Sequence, residues 1–129
     1  AVRVRARELA RQFVEANETA EIIGRYREIV NFDFWRACCE AEVTPEAIVF
    51  RERVWEAERE FKNARLQTAK KAYEEAFAAW RKVLDGSPLV RADRLMREDT
   101  GEIVDRYRRL LEQLDEPFPK PFILQDVLE

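Results

Sequence analysis

The sequence predicts an all-α fold, an antiparallel helical bundle or short stack of helical hairpins with about five to six helices and an extended C-terminal tail. Three observations carry that expectation. The apolar patterns found along the chain recur at three- and four-residue intervals, the spacing that stacks side chains along one helix face. Three Gly and five Pro in 129 residues are too few for sheets joined by tight turns. A charged fraction of 38% beside an apolar fraction of 47% suits long helices that each keep a solvated face.

The first helix is read from Val2, Ala6, Leu9, Phe13 and Ala16, flanked by Ala10 and Val14. Asn17 to Thr19 is its expected connector, with Thr19 placed to cap the next helix. The second helix carries Ile23, Tyr26, Val30, Phe34, Ala37 and Ala41 on one face, broadened by Ile22 and Ile29, and is expected to reach about Glu42. Asn31 and Asp33 are weak helix formers, so a break near Asn31 is the alternative. Gly24 inside this helix costs about 1 kcal/mol against Ala, which points to a close helix crossing, or else to a hinge. Thr44-Pro45 then opens a third helix: Thr accepts from free amides at the N-cap, and Pro is pre-organised for the first turn.

Residues 45–85 carry two heptad stripes that are out of phase. Ala47, Phe50, Val54, Ala57, Phe61 and Ala64 form one, and Leu66, Ala69, Tyr73, Ala76, Trp80 and Val83 the other. Continued through one helix, the first stripe would meet Thr68, Lys71, Glu75 and Ala78, a mostly polar row. The chain is therefore expected to turn near Ala64 to Leu66 and form an antiparallel hairpin, with Ala57 across from Tyr73 and Val54 across from Ala76. No Gly or Pro marks the turn, so one long helix whose buried face shifts midway is the other reading. Trp55 lies off the main seam and is either a core residue or an exposed anchor for a partner.

The fourth helix ends at Asp85-Gly86, and Ser87-Pro88 opens a short fifth segment with Leu89, Ala92, Leu95 and Met96. Asp99 with Glu102 resembles a capping box ahead of a sixth helix bearing Ile103, Val104, Tyr107, Leu110, Leu111 and Leu114. The run from Glu116 to Pro121 cannot continue a helix and favours an extended conformation. Phe118, Phe122, Ile123 and Leu124 make the tail too apolar for a solvated end. It either folds back over the bundle or docks on another chain.

At 129 residues the chain is expected to form a single helical domain over 1–129, burying roughly two-thirds of its unfolded surface. A formal net charge of −3 makes nucleic acid an unlikely partner. The sequence has no His, which removes the His-containing zinc motifs, the His-based triads and the di-iron helix motif. Carboxylate chemistry would need a row such as Glu52, Glu56 and Glu60, but Arg53, Arg59 and Lys62 beside it make a solvated charged face. Cys38 and Cys39 diverge by about 100° on a helix, and read as small buried apolar residues rather than a redox or metal pair. Gly24, Gly86 and Gly101 form no phosphate-cradling loop. Arg3, Arg5, Arg7 and Arg11 read as the solvated side of the first helix, or else as a juxtamembrane or phosphate-contacting segment. No apolar run approaches the roughly 20 residues that span a bilayer. The chain begins at Ala1 without an initiator Met, which suggests a fragment of a larger protein. A membrane link is expected only through a segment upstream of Ala1, and the setting is a reducing cytoplasm or the soluble part of an anchored protein.

Ala57, Leu66, Ala69, Tyr73 and Ala76 place small residues where two helices cross and a large one between them. In this the hairpin of residues 45–85 resembles a tetratricopeptide-type repeat, a resemblance that implies a scaffold for peptide or protein binding rather than a reaction. The runs Tyr26 to Trp35 and Phe122 to Leu128 resemble stretches of uncharacterised planctomycete proteins that carry the label of an iron-responsive element. That label implies RNA or iron, and the residues here support neither.

The expected function is that of a non-catalytic protein-interaction or scaffold domain without cofactor or metal, its partner another protein or peptide. Trp35, Trp55, Phe118, Phe122, Ile123 and Leu124 are the candidate partner-binding residues. The alternatives are a small-ligand-binding bundle with a cavity lined by Trp35, Tyr26 and Phe34, a carboxylate- or Cys-based metal or enzyme domain, and an Arg-mediated nucleic-acid binder.

Overall fold

The computed structural model describes residues 1–129, of which 83% are helical and none is in a strand. Seven helices follow in order: α1 (Val2–Ile29), α2 (Phe32–Glu42), α3 (Pro45–Lys62), α4 (Leu66–Gly86), α5 (Pro88–Ala92), α6 (Arg94–Gln113) and α7 (Gln125–Leu128). Where one domain was expected, the chain divides into two compact units, residues 1–36 and 37–129. Every core side chain belongs to the second unit, and α1 buries none.

The amino-terminal helices differ from expectation. Asn17 to Thr19 does not interrupt α1, because the Thr19 hydroxyl donates to the Glu15 carbonyl at 2.9 Å and is satisfied inside the helix. The break comes instead at Asn31, whose φ of 53° ends α1 in the left-handed region that Asn tolerates better than most residues. The helix expected to run unbroken to Glu42 is thus divided there.

In the second unit, α3 and α4 form the hairpin. Thr44 caps α3 by accepting from the Ala47 amide at 3.3 Å, with Pro45 in the first turn. The turn needs no glycine because Ala64 itself takes the left-handed conformation, φ 57°. The Arg65 amide donates to the Glu60 carbonyl at 2.9 Å and the Ala64 amide to the Phe61 carbonyl at 3.1 Å, the paired bonds of a Schellman ending. Ala57, Tyr73 and Ala76 are buried on the seam, and Val54 is half-buried. One step further in the same register, Phe50 stacks on Trp80 with ring centroids 4.5 Å apart.

The middle of this unit is α4, which has apolar residues on more than one face and buries nine side chains. Its seam meets α3, while Phe77 faces Tyr107 of α6 and Phe122 of the tail in edge-on contacts at 5.2 and 5.5 Å. Trp80 donates its indole N–H to the Thr100 hydroxyl at 3.0 Å. No buried side-chain polar atom lacks a partner, as a well-packed interior requires. The sixth helix begins earlier than expected, at Arg94, because Asp93 accepts from the Met96 amide at 2.9 Å and caps it. Asp99 and Glu102 therefore lie within α6 rather than at its start.

The tail folds back. Asp115, φ 56°, ends α6 with the Glu116 amide bonded to the Leu111 carbonyl at 2.9 Å. The chain then runs through a cis Lys120-Pro121 bond to bury Phe122, Leu124 and Val127. Asp126 on α7 is bound by Arg81 of α4 and Arg91 of α5, and Glu116 by Lys70.

Candidate functional site

The candidate partner-binding residues separate into two groups. Phe122 and Leu124 belong to the core and offer nothing to a partner; Leu124 has no exposed surface at all. Phe118 is partly covered, packed against Phe122 with Arg108 over its ring at 4.5 Å. Ile123 remains 46% exposed, while its backbone carbonyl accepts from Arg81.

The tryptophans lie outside the core. Trp55 is exposed on α3 with the Arg59 guanidinium 4.8 Å above it, so the core reading of Trp55 fails and the anchor geometry remains. The physical reason is the seam phase: α3 turns Ala57 inward and carries Trp55 with Arg51, Glu52 and Glu56 on the outer side. Trp35 is exposed near the start of α2, edge-on to Phe34 at 5.4 Å. Tyr26 is exposed as well, so Trp35, Tyr26 and Phe34 enclose no cavity.

One cleft of the second unit, of about 200 Å³, is lined by Cys38, Ala41, Phe50, Trp80, Met96 and Ile103, with Arg51, Glu42 and Asp99 also bordering it. Cys38 is buried there and its thiol is pushed up, chiefly by burial and then by the Glu42 and Asp93 carboxylates. Such a thiol is a weak nucleophile. Cys39 is exposed and free. No group of three or more Cys, Asp or Glu side chains is arranged to hold a metal ion.

Glu60 does not share the solvated face expected for the row Glu52, Glu56 and Glu60. It is buried at the α3–α4 turn, where Arg59 and Arg65 bind its carboxylate. The Arg65 hydrogen bond, more than any other influence, holds its pKa below the ordinary carboxylate value. This cluster closes the hairpin and has no free acid to offer.

Nine of the nineteen exposed large apolar side chains lie on α1. With the expected connector absent, the row Val2, Ala6, Leu9, Phe13, Ala16 continues without interruption through Ala20 and Ile23 over one helix. Leu9, Phe13 and Ile23 are 57, 70 and 49% exposed. Gly24 also lacks the expected crossing: nothing lies within 4 Å of where its Cβ would be. The sequence carried this signal as a heptad row, but dividing it at Asn17 concealed its length.

No family model, curated protein or solved structure matches the chain. No helix is long and apolar enough to cross a membrane.

Proposed function

We propose that this chain is a non-catalytic protein-interaction domain in which α1 is the recognition element and residues 37–129 are the folded scaffold. One observation carries the reading: a 28-residue helix presents an apolar row at coiled-coil spacing and buries none of it. An amphipathic helix of this kind binds by laying its stripe against an apolar surface of another protein. The tetratricopeptide-like hairpin supports the same reading, since such repeats serve as scaffolds. Trp55 with Arg59 is a second, smaller contact of a type enriched at interfaces.

The test compares neighbours captured by proximity labelling in the native cell for the parent chain and for the double variant Leu9→Glu, Phe13→Glu. Both positions are exposed, so the melt of the scaffold should not change. The expected result is loss of the captured proteins with the variant. Capture that is indifferent to the variant would overturn the reading.

A second reading, a small apolar ligand, is favoured by the cleft over Phe50 and Trp80. Quenching of tryptophan fluorescence by a small apolar probe, abolished by Ala47→Phe, would support it; quenching that survives the substitution would not.

A further inference from the structure

We infer that the partner of α1 is α1 of a second copy of this chain, aligned antiparallel. The inference rests on the reading of α1 as the recognition element and goes further by naming the occupant. Written as a heptad, the row places Ala6, Phe13, Ala20 and Arg27 at one core position and Val2, Leu9, Ala16 and Ile23 at the other. An antiparallel pair sets the first position of one helix against the second of its partner. In the register that lays Ala6 across from Ile23, the remaining layers are Leu9 with Ala20 and Phe13 with Ala16, each repeated by symmetry. Every one of these layers joins a large side chain to a small one, as close packing requires. The end layer opposes Val2 to Arg27, whose guanidinium already lies over Phe32 at 5.1 Å, leaving its aliphatic stem to cover the valine.

Parallel pairing lacks this complementarity, since it stacks Phe13 on Phe13 and Ala16 on Ala16. Charge decides the same way. Residues 1–11 hold four Arg against one Glu, and residues 12–24 hold three Glu and no cation. Parallel helices would set the arginines of one copy beside those of the other. The antiparallel register instead sets the basic amino-terminal third of one helix beside the acidic middle of the other, an attraction of net charge rather than of paired side chains, since Glu18 shares the outer row of Val4 and Glu21 and Glu28 share the row of Arg7. None of Arg3, Arg5, Arg7, Glu18, Glu21 and Glu28 makes an ion pair within its own chain. The positions flanking the seam on one side are Arg3, Ala10, Asn17 and Gly24, and the last three are small enough for two backbones to approach, which sets Gly24 at a helix crossing.

The test uses the purified full chain. Light scattering after size exclusion should show a dimer that dissociates on dilution. Leu9→Glu should weaken it by at least about 100-fold, because the dimer then buries two unpaired carboxylates. Val4→Glu, on the outer face of the same helix, should leave the dimer intact. Orientation is read by oxidative cross-linking in a Cys39→Ser background. Ala6→Cys mixed with Ile23→Cys should give a covalent dimer. Ala6→Cys alone should not, since the two copies of position 6 lie about 25 Å apart along an antiparallel pair. A self-linked Ala6→Cys dimer would overturn the antiparallel arrangement, and a chain monomeric at all concentrations would overturn the second copy as occupant. If that monomer still loses captured neighbours with Leu9→Glu, Phe13→Glu, α1 binds a different protein and only the present inference fails; if capture is also indifferent, both fail.

Discussion

Deleting residues 117–129 should come close to unfolding the scaffold. The segment buries Phe122, Leu124 and Val127, which are 7, 0 and 3% exposed. At about 1.5–3 kcal/mol for each fully buried apolar side chain, the three contribute roughly 5–9 kcal/mol as an upper estimate. The Asp126 pairs with Arg81 and Arg91 lie at the surface and add little. Whole domains are stable by only about 5–15 kcal/mol, so the truncated chain should lose its cooperative transition, or melt far below the parent. A milder variant guards against an uninformative collapse. Leu124→Ala should cost about 2–5 kcal/mol, and at about 4–8 °C per kcal/mol for a small domain it should lower Tm by at least roughly 8 °C. Circular-dichroism melts of the full chain and both variants measure this. A truncated chain that melts cooperatively within about a degree of the parent would refute the reasoning, because the tail's buried side chains would then contribute nothing.

Three further tests probe the hairpin and the tail's charges. Ala57 has no exposed surface on the α3–α4 seam, so Ala57→Leu should destabilise by about 1–3 kcal/mol through overpacking. At the turn, Ala64→Gly should raise stability by about 0.5–1 kcal/mol, since it removes the cost of a left-handed Ala. Denaturant midpoints report both, and a lowered midpoint for Ala64→Gly would show that the turn is not strained there. Hydrogen bonding from Arg81 holds the Asp126 carboxyl below its ordinary value. A depressed carboxyl stabilises the fold above its unfolded-state pKa, near 4, and that contribution is lost as pH falls through the folded value. Asp126→Asn should therefore be less stable than the parent at pH 7, with the difference shrinking below about pH 4. A difference that stays constant down to pH 3 would exclude the ion pairs as its cause.

The sequence by itself determined the helical class and, given a turn near Ala64, the register of the hairpin. Two heptad rows out of phase favour a turn between them without excluding one long helix, and the expected pairing of Ala57 with Tyr73 extends to the observed stack of Phe50 on Trp80. Thr44-Pro45 was equally legible, because a cap acts through bonds a few residues away. Local chemistry misled where two solutions competed. Thr19 could cap a helix or bond back within one, and only the continuous helix selects the second. Asp99 resembles a cap in sequence, but the cap used is Asp93, set by where α5 ends.

Tertiary structure alone decided the tail and the candidate surface. Phe118, Phe122, Ile123 and Leu124 are all apolar in sequence, yet Leu124 is fully buried and Ile123 half exposed, because the faces of Phe77 and Tyr107 set which side chains are covered. Glu60 shares its spacing with Glu52 and Glu56 but is buried, since at the turn Arg59 and Arg65 converge on its carboxylate. The exposure of α1 was invisible for the same reason. An apolar row fixes which side chains seek cover, whereas burial depends on whether another surface meets them, and Leu9, Phe13 and Ile23 are exposed.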